Sequence, residues 1–336
     1  MFTPVHTTLG ALLLFGGSFG LLLHNGKVFG ISSLLSGCVL RPSLEDNVPI
    51  IAGLASSPAV VSLLAPSLIP SYPDTISFSS SWTSVLSTLG LGLLVGWGTK
   101  NGKGCTSGHM LCGLSRLSPR SLIATSVFFT TALLTANLIH PGGNSIIPPC
   151  DGGIPCYTSI YPSTSELAFM ASSTVLALVT NLVLVPRVLT PSRQSRALFA
   201  YLAGVEFGLG LLFSGMADPY KVIRFFAFLT DPFRFDPSLA LIILFGIGPS
   251  LCGYLATNPG NPASAGGKDK PTLAERWNLP TLTVADIDWR FIAGAVAFGV
   301  GWGLSGTCPG PAVLRSVLQP AWGAVWMGGY ILGNLI

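Results

Sequence analysis

Charge is what this chain has least of. Only 9% of its 336 residues are Asp, Glu, Lys or Arg, against roughly a quarter in an ordinary soluble domain. The net charge of +4 is small and scattered, which excludes a nucleic-acid-binding surface of the usual basic kind. The seven cysteines contain no C-x-x-C pair, and zinc-ribbon or thioredoxin-like chemistry loses its usual footing. No Walker A sequence is present, which argues against a primary ATP-driven pump. No cofactor motif is evident, and a cofactor is not expected. The first apolar run, 9–23, lacks a basic n-region and a following A-x-A-like site. It therefore reads as a first membrane helix and not as a signal peptide.

What the chain has in quantity is apolar sequence. Hydrophobic residues make up 49% of it, with 40 glycines and 26 prolines, and the mean hydropathy is +0.64. Apolar segments recur at about 8–23, 48–66, 83–98, 120–139, 165–186, 197–213, 238–256, 291–303 and 320–336. They do not alternate as the strands of a transmembrane barrel would. The expected fold is an all-α polytopic membrane protein seated in a lipid bilayer, with about nine transmembrane helices. Between them lie short pieces beside glycine-rich breaks, at 26–38, 105–118, 219–230 and 309–318. Such interrupted segments at matching places in two halves point to the central site of a transporter.

Charge placement sets the expected orientation. The loops 66–82 and 140–164 hold no Lys or Arg, whereas Arg187, Arg193 and Arg196 crowd one turn and Lys268, Lys270, Arg276 and Arg290 mark the loop 257–290. Lys27, Arg41, Arg116 and Arg120 mark earlier turns. The positive-inside rule puts the basic turns inside, the N-terminus outside and the C-terminus inside. A plasma or cytoplasmic membrane is the expected home. The halves 1–139 and 197–336 then carry one element order in opposite orientation, joined by 140–196 with its linking helix. That predicts an inverted-topology repeat in a single membrane domain; parallel duplication is the alternative. Lys221, Arg224, Arg234 and Arg315 break the charge rule. They are read either as interfacial snorkelling or as a basic funnel for an anion. Lys100 is open to two readings as well, anion attraction or simple obedience to the charge rule.

Two stretches repeat one idea. GWGTKNGKGCTSGHMLCG (96–113) and GWGLSGTCPGPA (301–312) each run through glycines into a single cysteine at a break. Glycine permits a tight turn and close approach of a ligand. The helix beginning at Thr106, and the one beginning at Pro309 and Gly310, would each offer unpaired N–H groups and the positive end of a dipole. Two such starts meeting at mid-membrane form an anion site with Cys105 and Cys308 at its lip, framed by Gly104, Thr106 and Thr307.

CTSGHMLCG (105–113), SGMADPYKV (214–222) and GTCPGPA (306–312) resemble the signature segments of the YeeE/YedE family of sulfur-compound transporters. The likeness extends over both halves. It implies an inverted repeat whose central loops approach each other in the membrane. It also implies thiosulfate as cargo, contacted by the S–H groups of three cysteines, which by motif position are Cys38, Cys105 and Cys308. Loops 140–164 and 257–290 look like additions to the compact pattern. A sulfurtransferase or other sulfur-assimilation partner on the inside fits that setting, although no residue specifies one.

The remaining cysteines have plainer readings. Cys252 suits packing, and Cys105, His109 and Cys112 share a helical spacing but supply only three local ligands, so no metal site is expected. Cys150 and Cys156 lie in an outside loop that permits a disulfide, although spacing alone does not prove the pairing. The main rival function is a membrane thiol oxidoreductase or sulfurtransferase using Cys105 or Cys308, since a helix N-terminus activates a thiol. No catalytic residue is otherwise indicated.

Overall fold

The computed structural model describes residues 1–72, 81–138, 147–259 and 270–336. Helix dominates, and among the described residues β-structure is limited to isolated bridges, Phe2 with Ser159 and Lys27 with Asn278. The order is α1 (Pro4–Asn25), α2 (Ile31–Leu40), α3 (Asn47–Leu64), α4 (Trp82–Asn101), a π-helical turn (Thr106–Leu111), α5 (Cys112–Ser115) and α6 (Pro119–Leu138). After a loop come α7 (Thr164–Val179), a π-helical turn (Thr180–Leu184), α8 (Val185–Val188), α9 (Arg193–Ser214) and α10 (Pro219–Phe225). The chain finishes with a 3-10 turn (Pro237–Ala240), a π-helical turn (Ile243–Ile247), α11 (Gly248–Thr257), α12 (Trp289–Ser305), α13 (Pro309–Leu318) and α14 (Pro320–Leu335).

Local chemistry accounts for many of the boundaries. Pro4 opens α1 at a position where its missing N–H costs nothing. Gly26 closes it in the left-handed conformation, at φ 70°, with its N–H on Leu22 O. Ser163 and Glu166 form a reciprocal capping box at the start of α7. Asp288 caps α12 by accepting from Phe291 N.

Five helices are long and apolar enough to cross a membrane: Pro4–Asn25, Asn47–Leu64, Thr164–Val188, Arg193–Ser214 and Pro237–Thr257. A sixth span results if α12 and α13, bent by 41° at their break, count as one. These helices make the chain an all-α integral membrane protein. Helices α4, α6 and α14 stand on the other expected apolar segments. The principal packings are α4 on α14, α12 on α6, α1 on α9, α3 on α9 and α4 on α12. In a bilayer small residues govern such crossings, because lipid offers helices no hydrophobic drive to associate. The α4–α14 crossing illustrates this. A Cβ at Gly96 would lie 2.2 Å from Tyr330 O, and one at Gly333 would lie 2.2 Å from Leu93 O.

One expectation changes here. The segment after Cys105 is not an α-helix from Thr106 onward but six residues of π-helix followed by the four-residue α5. His109 supplies a physical reason. Its imidazole bonds back to Gly102 O at 2.9 Å and across to Ser121 Oγ at 3.1 Å, bracing the turn between the end of α4 and the start of α6. The dipole of this segment is therefore shorter than a regular helix would give.

Candidate functional site

Cys105 and Cys308 occupy the same structural position in two different segments. Each is the N-cap of a short helical piece and each has extended backbone, with φ −129° and ψ −167° at Cys105 and φ −108° and ψ 171° at Cys308. The carbonyl of Cys105 accepts from His109 N at 2.9 Å, and that of Cys308 from Ala312 N at 3.0 Å. Both side chains are buried, Cys105 to 1% exposure. They meet at one small cavity of about 20 Å³, walled by apolar side chains such as Leu14, Ile31 and Phe207. Thr106 Oγ1 donates to Cys308 Sγ at 3.5 Å, while Cys105 Sγ lies 3.2 Å from Ser107 Oγ. Ser107 in turn accepts from Ile31 N at 3.0 Å, which ties the start of α2 to the π-turn.

The cavity is rich in sulfur. Met110 and Met216 line it together with the two cysteines. Polarizable thioethers suit a soft sulfur atom better than they suit a hard oxyanion.

The other expected site residues distribute as follows. Gly310 lines the cavity, and Pro309 is buried at the start of α13. Thr307 turns its hydroxyl back to Ser305 O at 3.1 Å. Gly104, at φ 155°, lies on the other side of the wall that carries Cys105. Cys38 is half-buried on α2, seven residues beyond Ile31 and not among the cavity-lining residues. That separation is about 10 Å along the axis, on the same helix face. Cys112 donates to Phe29 O at 3.4 Å, and Cys252 is exposed on α11.

The basic residues of the proposed funnel have protein partners. Lys221 Nζ sits 3.2 Å from Asp236 and donates to Met1 O and Thr3 Oγ1. Arg224 donates to the carbonyls of Pro148 and Pro149. Arg234 pairs with Asp231 and donates to Ile147 O. These three clamp loop and N-terminal segments onto the second half. The loop they hold includes the Cys150–Cys156 disulfide. Lys100 reaches Leu335 O at 3.4 Å, at the end of α14. Arg315 is buried between the rings of Tyr72 and Trp322, at 4.8 and 4.1 Å. Tyr72 also donates to Ala217 O at 3.1 Å.

The segment 104–109 separates the cavity from a wider vestibule of about 540 Å³. Along the segment 104–109, Gly104, Gly108 and His109 face the vestibule, whereas Cys105, Thr106 and Ser107 face the cavity. The start of α2 does the same, with Gly30 and Ser32 on the vestibule side and Ile31 on the cavity side. The two breaks touch through glycine: a Cβ on Gly108 would lie 3.8 Å from Gly30 Cα. Asn278, Leu279, Pro280 and Leu282 of the long polar loop complete the vestibule.

Sequence reasoning misses a second buried group. Glu206, inside α9, accepts from Asn181 Nδ2 at 3.1 Å on one carboxylate oxygen and 2.9 Å on the other. Gly16 and Gly20 of α1 leave room for the pair. A glutamate within an apolar run is the available signal. Ser107 and the two methionines are likewise missed; only their adjacency to the Cys105 and 214–222 motifs hints at them.

Comparison with known proteins places the chain. A family described as of unknown function, DUF6691, matches residues 196–333. A probable transporter of Xylella fastidiosa strain Temecula1 is 35% identical over 131 residues, covering 39% of this chain and 91% of that protein. Its strain 9a5c counterpart is 34% identical over the same length and coverage. A further probable transporter of strain 9a5c is 39% identical over 114 residues, 34% of this chain and 70% of that protein. With nine tenths of such relatives matched at this identity, the chain belongs to the family of these probable transporters.

Proposed function

We propose that this protein carries thiosulfate, or a closely related small sulfur-containing anion, across the membrane through the cavity between Cys105 and Cys308. The observation that carries the reading is the meeting of two matched cysteine N-caps at one sulfur-lined cavity, bridged by the Thr106–Cys308 hydrogen bond. A dianion entering an apolar space loses its hydration, and weak S–H and O–H donors offset that loss without trapping it. The soft terminal sulfur finds thiol and thioether neighbours, which water-seeking oxyanions gain less from. Cys38, two turns up α2, serves as a third thiol on the approach.

The architecture behind this reading is an inverted repeat, with halves 1–139 and 197–336 joined by 140–196. Three features support it. The order long, short, long, long, short, long occurs in both halves. Helix α4 packs on α14 as α6 packs on α12. Lys27 pairs with Asp46, the N-cap of α3, and Lys221 pairs with Asp236, which caps the turn at Pro237. Counting α4, α6, α14 and the α12–α13 pair with the five long apolar helices gives nine crossings. The N-terminus lies outside and the C-terminus inside.

Uptake of radiolabelled thiosulfate into cells expressing the chain tests the reading. Uptake above background is expected, lost in Cys105→Ala and Cys308→Ala at unchanged membrane levels. Purified protein that moves no thiosulfate into empty liposomes, yet oxidises or sulfurates a thiol, would replace transport with enzyme chemistry.

A further inference from the structure

The vestibule beneath the 104–109 wall contains a guanidinium without a hydrogen-bonding partner among the described residues. Arg120, in the first turn of α6, is 7% exposed, and its Nε meets no acceptor among the described residues. Its charge stacks over the Phe291 ring at 4.5 Å. Stacking occupies the face of the guanidinium and leaves its in-plane N–H fork open. None of the ion pairs among the described residues includes it. Asp286, whose charge acts on Arg120 without an ion pair, has its Oδ2 held by Thr283 N and Oγ1 at 2.7 and 3.1 Å. Leaving a buried charge uncompensated is expensive, and a protein retains one where a ligand completes it.

The surroundings match one class of ligand. Lys103 and Arg116 line the same vestibule, which has no Asp or Glu among its described lining residues. Lys27 also lines it but is spent on Asp46. Lys103 holds a left-handed backbone, φ 55°, where glycine or asparagine is the ordinary choice. A lysine kept there at a conformational cost of about 1–2 kcal/mol argues for the side chain and not for the turn. Ser32 Oγ, buried on the same surface, is a second polar group without a partner among the described residues.

We propose that Arg120, Lys103 and Ser32 form a binding site for a small doubly charged oxyanion, the holding point for cargo on the vestibule side of the wall. The guanidinium fork takes two oxygens, Lys103 supplies the second positive charge and the Ser32 hydroxyl donates to the anion. Gly104 and Gly108 let the anion lie close to the wall that carries Cys105. That the anion then passes the thiols rests on the transport reading; that it binds here does not.

Equilibrium binding of radiolabelled thiosulfate and sulfate to the purified full chain, in nanodiscs of neutral lipid, tests the site. Wild-type protein is expected to bind both. Arg120→Gln should weaken binding about tenfold to a hundredfold, the worth of a charge-assisted hydrogen-bond pair. Arg120→Lys should fall between, since it keeps the charge and loses the fork. Lys103→Gln lies on an exposed turn where folding is not at stake, and should weaken binding several-fold. Cys105→Ala should leave binding intact even if it stops flux, which separates failure of the site from failure of the transport reading. A lipid phosphate offers the same chemistry, and adding an anionic lipid should compete with the free anion. Wild-type affinity in both Arg120→Gln and Lys103→Gln overturns the proposal. So does a chain that binds neither free anion in neutral lipid.

Discussion

Thr106 Oγ1 donates to Cys308 Sγ across 3.5 Å, joining residues 202 apart in the sequence at the point where the two cysteine segments meet. The bond makes the Cys308 sulfur an acceptor where the two segments meet. Thr106→Val keeps the shape and removes the donor. Uptake is expected to fall about two- to tenfold, the range of a single net hydrogen bond, with normal protein levels. Unchanged initial rates would remove this contact from the transport step.

Gly104 and His109 form a second tight pair. A Cβ at Gly104 would lie 2.7 Å from His109 Nε2, and the backbone there has φ 155°. Gly104→Ala should therefore lower stability by roughly 1–3 kcal/mol, read as a lower thermal midpoint in detergent. The loss should shrink in a His109→Ala background, because the clash has gone and only backbone strain remains. Equal losses in the two backgrounds would mean that the ring does not set the cost.

Tyr72 approaches the cavity beside its lining residue Met216, bonding Ala217 O and stacking under Arg315. Tyr72→Ala should open that approach. Cys308 is then expected to react faster with a membrane-impermeant methanethiosulfonate added to intact cells. Labelling at the wild-type rate would show that Tyr72 is no barrier.

Asn181 Nδ2 donates to both carboxylate oxygens of Glu206 inside the helix bundle. Glu206→Gln retains an acceptor for Asn181 and should change the thermal midpoint little. Glu206→Ala leaves Asn181 Nδ2 with Ala177 O alone beside a void and should cost about 2–5 kcal/mol. A Glu206→Ala protein as stable as wild type would place the pair outside the packing core.

Much of the helical frame is legible in the amino-acid sequence, because apolar runs and their caps are local signals. Each of the nine apolar segments carries a helix, and Pro4, Ser163 with Glu166, and Gly306 mark ends that short-range chemistry dictates. The breaks at Cys105 and Cys308 are legible for the same reason, since glycine next to a lone cysteine is written in consecutive residues. The π-turn after Cys105 is not, because it depends on His109 reaching Gly102 and Ser121. Nor is the use made of Lys221, Arg224 and Arg234, whose partners lie on loops brought together only by folding. Charge counting sees a basic cluster; only the fold reveals which of its members are already occupied. Arg120 is the converse case, a residue that reads as an orientation marker and stands without a hydrogen-bonding partner among the described residues.

The apolar walls of the cavity, Leu14, Ile31, Phe207 and Leu211 among them, have a consequence for the cell that houses the protein. A space lined this way holds no continuous thread of water, and a proton has nothing to hop along. On the proposed transport reading, such a passage would admit a soft anion while remaining insulating to protons, and the membrane would keep its electrochemical gradient whether or not cargo is present.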